Sequence, residues 1–202
     1  MLSPLNMELP VINTEDAPER ADAARNRRRI LAAAERLFAE KGVSCTSMDA
    51  IAAEAGVGKG TLFRRFGDRA TLALAVLDQS ERDLQDAILS GEPPLGPGAD
   101  PIDRLVAFGE AIIDFLEQFI DLAMAAEIAS SGYLRSSPHA ARWMHIRNLV
   151  QQARPDADAD YIADILLGSL SAPLIAHQRQ SKAMDTPRLK AGYADLVRRL
   201  LG

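Results

Sequence analysis

At 202 residues, 48% hydrophobic and 25% charged, the chain is long enough to bury a core as one domain or two, and too apolar to be disordered throughout. Its single cysteine, Cys45, excludes an intrachain disulfide framework and a multi-cysteine zinc site, and fits a reducing compartment such as the cytoplasm. The net charge of −5 is unevenly spread: eleven basic and six acidic residues between Arg20 and Arg69 give that stretch +5, leaving −10 for the remainder.

The first nineteen residues carry Glu8, Glu15, Asp16 and Glu19 but no Lys or Arg, so they lack the basic start of a secretory signal. Residues 1–24 read as a disordered leader. From about residue 25 the helical period dominates: Ile30, Leu31, Ala34, Leu37 and Phe38 lie on one face, and Gly42 supplies a stop, which predicts a helix over 25–41. Thr46 and Asp49 fit a capping box at the start of a short second helix that turns Met48, Ile51 and Ala52 inward. Gly56 permits a sharp turn, Val57 plugs the corner, and helical spacing resumes at Leu62 and Phe66. Asp68 is placed to cap a helix running towards Ser90.

The Pro- and Gly-rich run 91–101 is the clearest loop. Three pairs, Asp100-Pro101, Ser137-Pro138 and Thr186-Pro187, then signal helix starts, because proline in the first turn loses no needed hydrogen bond. Helices are expected near 101–119, 121–131, 137–153, 157–181 and 186–201, with Pro173 kinking or splitting the fourth of these. No alternating apolar and polar run long enough for a strand is present, so the fold class is all-α. No charge-free apolar run reaches the roughly 18 residues of a membrane span; the best candidate, Tyr161 to Ala176, is interrupted by Asp164 and reads as a buried helix.

Gly56, Gly58, Lys59, Gly60 and Thr61 invite comparison with a phosphate-binding loop, but that loop follows a buried strand, and the residues before Gly56 are helical in pattern. Two short helices about a tight glycine turn, the second one basic, instead make a helix-turn-helix whose second helix fits the DNA major groove. There Arg64 or Arg65 offers bidentate donors to guanine or charge to phosphate, while Phe63 either contacts the groove or packs on the first helix.

The stretch TSMDAIAAEAGVGKGTLFRRFGDRATL, with the preceding RRRILAAAERLFAEKG, resembles the DNA-binding domain of the TetR family of bacterial transcriptional regulators. The Ile-Ala-x-x-Ala-Gly-Val, Gly-Thr-Leu-aromatic and Phe-x-x-Arg elements fall in register, and the match covers residues 25 to about 72. The resemblance implies a helix-turn-helix head at 25–70 and a helical effector-binding and dimerisation body at 71–202. It implies phosphate contacts from Thr46 or Ser47 and from Arg69, and places Lys59, Gly60, Thr61, Phe63 and Arg64 on or beside the DNA-facing side of the recognition helix. Arg28, in the basic run Arg25, Arg27, Arg28 and Arg29, is expected to meet phosphate rather than only solvent. Gly58 departs from the serine often found in the family, and Phe63 from the common tyrosine.

In the body, the apolar stripes of Phe108, Ile112 and Phe115, together with Met124, Glu127, Tyr133, Trp143, His145 and His177, are candidates to line an effector pocket. His139, His145 and His177 lack metal-ligand spacing, so no metal or cofactor is expected. Ser131 and His139 lack the spacing of a catalytic dyad, which argues against an enzyme. The expected partners are an operator duplex, a small-molecule effector of unknown identity and a second copy of the chain, docked through the last two long helices; no membrane partner is expected. The rival to an effector-released repressor is a constitutive DNA-binding protein whose body only dimerises.

Overall fold

The computed structural model describes residues 16–129 and 137–202, with side chains described for 22–124 and 139–202. The described residues form helices α1 (Asp16–Lys41), α2 (Met48–Ala55), α3 (Lys59–Phe66), α4 (Arg69–Ser90), α5 (Pro101–Ala129), α6 (Ser137–Ala153), α7 (Ala159–Ser169), α8 (Ala172–Lys182) and α9 (Thr186–Leu201), and no strand. The all-α class read from the sequence is the fold.

The head is built by α1 to α3 and the start of α4. Ile30, Ala33, Ala34, Leu37 and Phe38 of α1 bury against Ile51, Ala52 and Ala55 of α2, Leu62 and Phe66 of α3, and Leu72, Ala73 and Val76 of α4. α1 begins at Asp16, so residues 16–24 of the expected leader are helical, and residues 1–15 lie outside the described region. The physical reason is in the composition: Asp16, Pro18 and Glu19 suit a first turn, and the alanines and arginines that follow favour continued helix.

Two caps are shifted by one residue from their expected positions. Ser47, not Thr46, caps α2 by accepting a hydrogen bond of 3.1 Å from the Ala50 amide. Thr46 is buried, its hydroxyl proton shared between the Leu37 and Gly42 carbonyls at 3.1 and 2.8 Å, so it satisfies the end of α1 instead. Likewise Asp185, rather than Thr186, caps α9 through the Arg188 amide at 2.9 Å. Asp68 caps α4 as expected, bonding the Thr71 amide at 2.7 Å.

The body is arranged about α5, whose Leu105, Phe108, Ile112, Ile113 and Leu116 are buried among α4, α6, α8 and α9. α5 is interrupted at Phe119, where φ −124° and ψ 19° leave the helical region, matching the expected break after residue 119. Pro173 does split its helix: α7 and α8 meet at 47°, because proline in the first turn of α8 has no N–H to continue the ladder. No single helix among the described residues is long and apolar enough to cross a membrane.

α9 packs on α5 at one unusually close point. A Cβ built on Gly109 would stand 1.9 Å from Tyr193 Cε1, so the tyrosine ring occupies the space a side chain would take. Burial leaves the Tyr193 hydroxyl without a hydrogen-bond partner and raises its pKa above the ordinary phenol value. Gly109→Ala is therefore expected to destabilise the protein by about 1–3 kcal/mol through overpacking, whereas Tyr193→Phe removes an unsatisfied polar atom and leaves stability equal or higher. Urea unfolding midpoints of the two variants check both signs.

Candidate nucleic-acid interface

The α2–α3 unit owes its shape to Gly56, which takes φ +60° and ψ 42°, a left-handed conformation, and caps α2 through the Ala52 and Ala53 carbonyls. The Val57 amide also bonds the Ala52 carbonyl at 3.0 Å, and Val57 packs against the core, so the corner is fixed from both sides. α3 then buries only Leu62 and Phe66 of its eight residues. Lys59, Gly60, Phe63, Arg64 and Arg65 are exposed and Thr61 is half-buried. Phe63, 47% exposed, does not pack on α1.

Ion pairs and hydrogen bonds clamp this exposed helix. Lys59 Nζ lies 2.5 Å from Asp49 of α2, and Arg36 of α1 pairs with Glu54 of α2 at 2.6 Å. Arg65 reaches back to donate to the Ala23 carbonyl of α1 at 3.0 Å, while the Arg27 guanidinium lies 5.4 Å from the centre of the Phe66 ring. Arg64 has no such tie among the described residues, and its guanidinium stays available on the outer face of α3.

Beside α3, the Ser47 hydroxyl is exposed at the start of α2, where helix-end amides and a hydroxyl proton suit a phosphate oxygen. Arg69 is exposed but spoken for: its guanidinium donates to the Ser44 and Thr46 carbonyls at 2.7 and 3.2 Å, fastening α4 to the α1–α2 turn. Thr46, buried and hydrogen-bonded inside the head, does not join this surface. Arg28, exposed on α1, borders a cleft with Val76, Gln79 and Asp83 of α4.

The comparisons with known proteins bear on this same segment. Residues 30–76 match the family model described as bacterial regulatory proteins, tetR family. The N-terminal head of this chain belongs to the TetR family. A helix-turn-helix-type transcriptional regulator from Staphylococcus aureus is 46% identical over 69 residues, which are 34% of this chain and 36% of that relative. The chain thus matches about a third of the length of such curated relatives. Beyond the TetR-family head, likeness is carried by the fold. A TetR transcriptional regulator from Streptomyces coelicolor is 27% identical with a TM-score of 0.59, covering 85% of this chain and 97% of that one. A protein from Saccharomonospora viridis solved in complex with choline is 20% identical with a TM-score of 0.67, covering 85% and 95%.

Behind the TetR-family head, the residues expected to line an effector pocket do not converge on one cavity. Phe108, Ile112 and Phe115 are buried core, and Met124, half-buried, lies beyond the α5 break. Trp143 turns towards α7, donating from Nε1 to Asp164 at 2.8 Å, and His177 is exposed on α8. The side chains of Glu127 and Tyr133 lie outside the described residues. Phe115 borders a cleft of about 210 Å³ with Ser80, Asp83 and Leu84 of α4, whereas His145 lines a separate cleft of about 290 Å³ between α4 and α6, with Gln85, Ile88, Leu89, Ala141, Arg142, Met144 and Asn148. Phe108 backs it, its ring centre 5.2 Å from that of His145.

Sequence reasoning missed several of the residues that hold the site. Asp49 was read as a capping partner, yet it is the counter-ion of Lys59. The spacing of ten residues across a turn carries no helical signature for such a pair. Glu81 and Arg142, sixty-one residues apart, form an ion pair at 2.5 Å with side chains only 19% and 12% exposed, and only tertiary structure brings them together.

Burial, and secondarily the charge of Arg104, push the His145 pKa down to about 4. The folded protein therefore holds this ring neutral, while the unfolded chain takes up the proton from about pH 6.5 downward. Its contribution is fully present above pH 6.5 and is lost as pH falls through 4. Because the ring is only partly shielded, His145→Leu is expected to flatten the stability loss between pH 7 and 4.5 by about 1–2 kcal/mol relative to the parent protein. Urea midpoints of both proteins at the two pH values measure the difference.

Proposed function

We propose that this chain is a homodimeric, ligand-responsive transcriptional regulator acting in the cytoplasm, a repressor that holds a palindromic operator until a small effector binds its body. The observation that carries the reading is the outer face of α3, where Phe63 and Arg64 stand exposed on a helix clamped to α1 and α2. A rigid short helix with a free guanidinium suits bidentate contact with a guanine edge in the major groove. Ser47 and the α2 start offer phosphate contacts, and the net positive head supplies attraction while the acidic body discourages non-specific contact elsewhere.

One recognition helix reads little sequence alone, so two heads about 34 to 36 Å apart on adjacent major grooves are the fitting arrangement. Among the apolar residues of the last helices, Leu166, Leu170, Leu189, Tyr193 and Val197 are consumed inside the protomer. Ile165, Leu174 and Leu200 remain exposed, as does Tyr161, and they supply the isologous face. Ile165→Glu is expected to shift the protein towards monomer, at least tenfold in dissociation constant, with helix content unchanged. Sedimentation velocity over a range of concentrations reads it.

Release of DNA requires an effector with different affinities for two head spacings. The choline-bound neighbour supports the idea that a body of this architecture holds a small organic molecule. The deciding experiment is selection from a random duplex pool at two salt concentrations, with the bound DNA sequenced. An enriched palindrome is expected. Unenriched binding that vanishes with salt would leave only electrostatic attachment and overturn the reading. On the selected operator, Arg64→Ala should cost about 1–3 kcal/mol and relax one base position. Arg69→Ala, by loosening the α1–α2 turn, should lower the melting temperature and weaken binding to every sequence alike.

A further inference from the structure

The cleft between α4 and α6 has an unusual lining for a helical body. Its floor is apolar, with Ile88 buried and Phe108 behind it, and its lips are Leu89 and Met144, which are 73% and 57% exposed. Large apolar side chains left in water on both sides of one groove are a feature of a surface that receives something.

Its polar content is lopsided in charge. Arg142 lines the cleft with one guanidinium edge against Glu81 and the group 5.6 Å above the Phe115 ring. Arg104 of α5 donates to the carbonyl of Ile88, a residue of the cleft floor, and its charge reaches His145. Arg142 in the lining and Arg104 behind the floor thus set two guanidiniums against the one carboxylate paired with them, Glu81, and His145 adds no charge because it is neutral. Three buried polar atoms here lack hydrogen-bond partners: Arg104 Nε, His145 Nε2 and Glu81 Oε2. The first is a donor and the second becomes one when the neutral ring carries its proton there, whereas Glu81 is already matched by Arg142. Both donors are closed off from the groove, so an incoming group meets the Arg142 guanidinium in the lining, and a negatively charged acceptor suits the excess of guanidinium over carboxylate there.

We propose that this cleft binds a small monocarboxylic acid, its carboxylate held at Arg142 and its apolar part lying between Leu89 and Met144. At about 290 Å³ the cleft is at the lower end of small-molecule sites, which run from about 300 to 1,000 Å³, so the acid is short-chained or has a single ring. A cation would meet the Arg142 guanidinium, and a neutral amide would gain no charge pairing with it. Regulation of DNA binding by this acid rests on the function proposed above; the binding itself rests on the cleft alone.

The test uses the full chain without DNA, titrated by calorimetry and by thermal unfolding with hexanoate and benzoate, against hexanamide, benzamide and hexylamine. At least one carboxylate is expected to raise Tm saturably, by roughly 5 to 10 °C at a hundredfold excess over Kd, with the amides and the amine at least tenfold weaker. Arg142→Gln should weaken the acid at least tenfold. Because that change also leaves Glu81 unpaired, Ala141→Trp, at an exposed cleft position, serves as a second variant that fills the groove without altering charge, and it should abolish binding. No binding of either acid, equal binding of acid and amide, or undiminished binding to Ala141→Trp would each overturn the proposal. Adding the bound acid to the protein on its selected operator separates the two readings: release supports both, whereas binding without release leaves the carboxylate site standing and removes this acid as the effector.

Discussion

Everything in this molecule depends on α4 being one unbroken helix shared by two cores. Its first turns, capped by Asp68 and pinned by Arg69, give Leu72, Ala73 and Val76 to the head. Its later turns give Ile88 to the body and Glu81 to the ion pair with Arg142. Its backbone ladder runs without a break across 22 residues, so the residues it gives to head and body stand on one continuous element. The hydrogen bond from Ser80 to Glu35 of α1 lies between these two halves, where head and body share a side-chain contact. The carboxylate cleft proposed above opens beside the C-terminal half of α4, where a ligand has the greatest leverage on it.

The fold class was legible because helical periodicity and turn chemistry agree along nearly the whole chain. Gly56, Asp68, Pro101 and Pro173 each mark a boundary that the structure realises, since each acts through backbone geometry that tertiary packing does not override. The caps at Thr46 and Thr186 were misplaced by one residue because each has a second capping residue beside it, Ser47 and Asp185. Local sequence cannot rank two adjacent hydrogen-bonding side chains. Burial decides, and at Thr46 it drew the residue inward to serve the end of α1.

The recognition helix was likewise readable, because exposure follows from the spacing of Leu62 and Phe66, which fixes the opposite face as outward. The division of labour between Arg64 and Arg65 was not, since it depends on Arg65 reaching a carbonyl forty-two residues away. The body was least legible. Trp143 and His145 both suit a pocket by composition, but residues two apart on a helix point about 200° apart, so both could not face one cleft. An apolar stripe cannot announce whether it will be filled by its neighbours. In α5 it was filled, and the cleft that His145 lines opens instead between α4 and α6.

The pairing of Lys59 with Asp49 has a consequence for how the head meets a polyanion. A lysine approaching DNA normally sheds no bound partner, and the small cations it displaces from the duplex drive association through their release. Here the ammonium lies 2.5 Å from the Asp49 carboxylate in an exposed pair, so a duplex meeting it would either draw Lys59 away or accept a carboxylate near its phosphates. Both courses reduce the number of cations set free per basic residue. A head that meets a duplex in this way would behave as less cationic than its composition, with affinity falling less steeply with salt and a larger share of the binding energy left to contacts that distinguish one sequence from another.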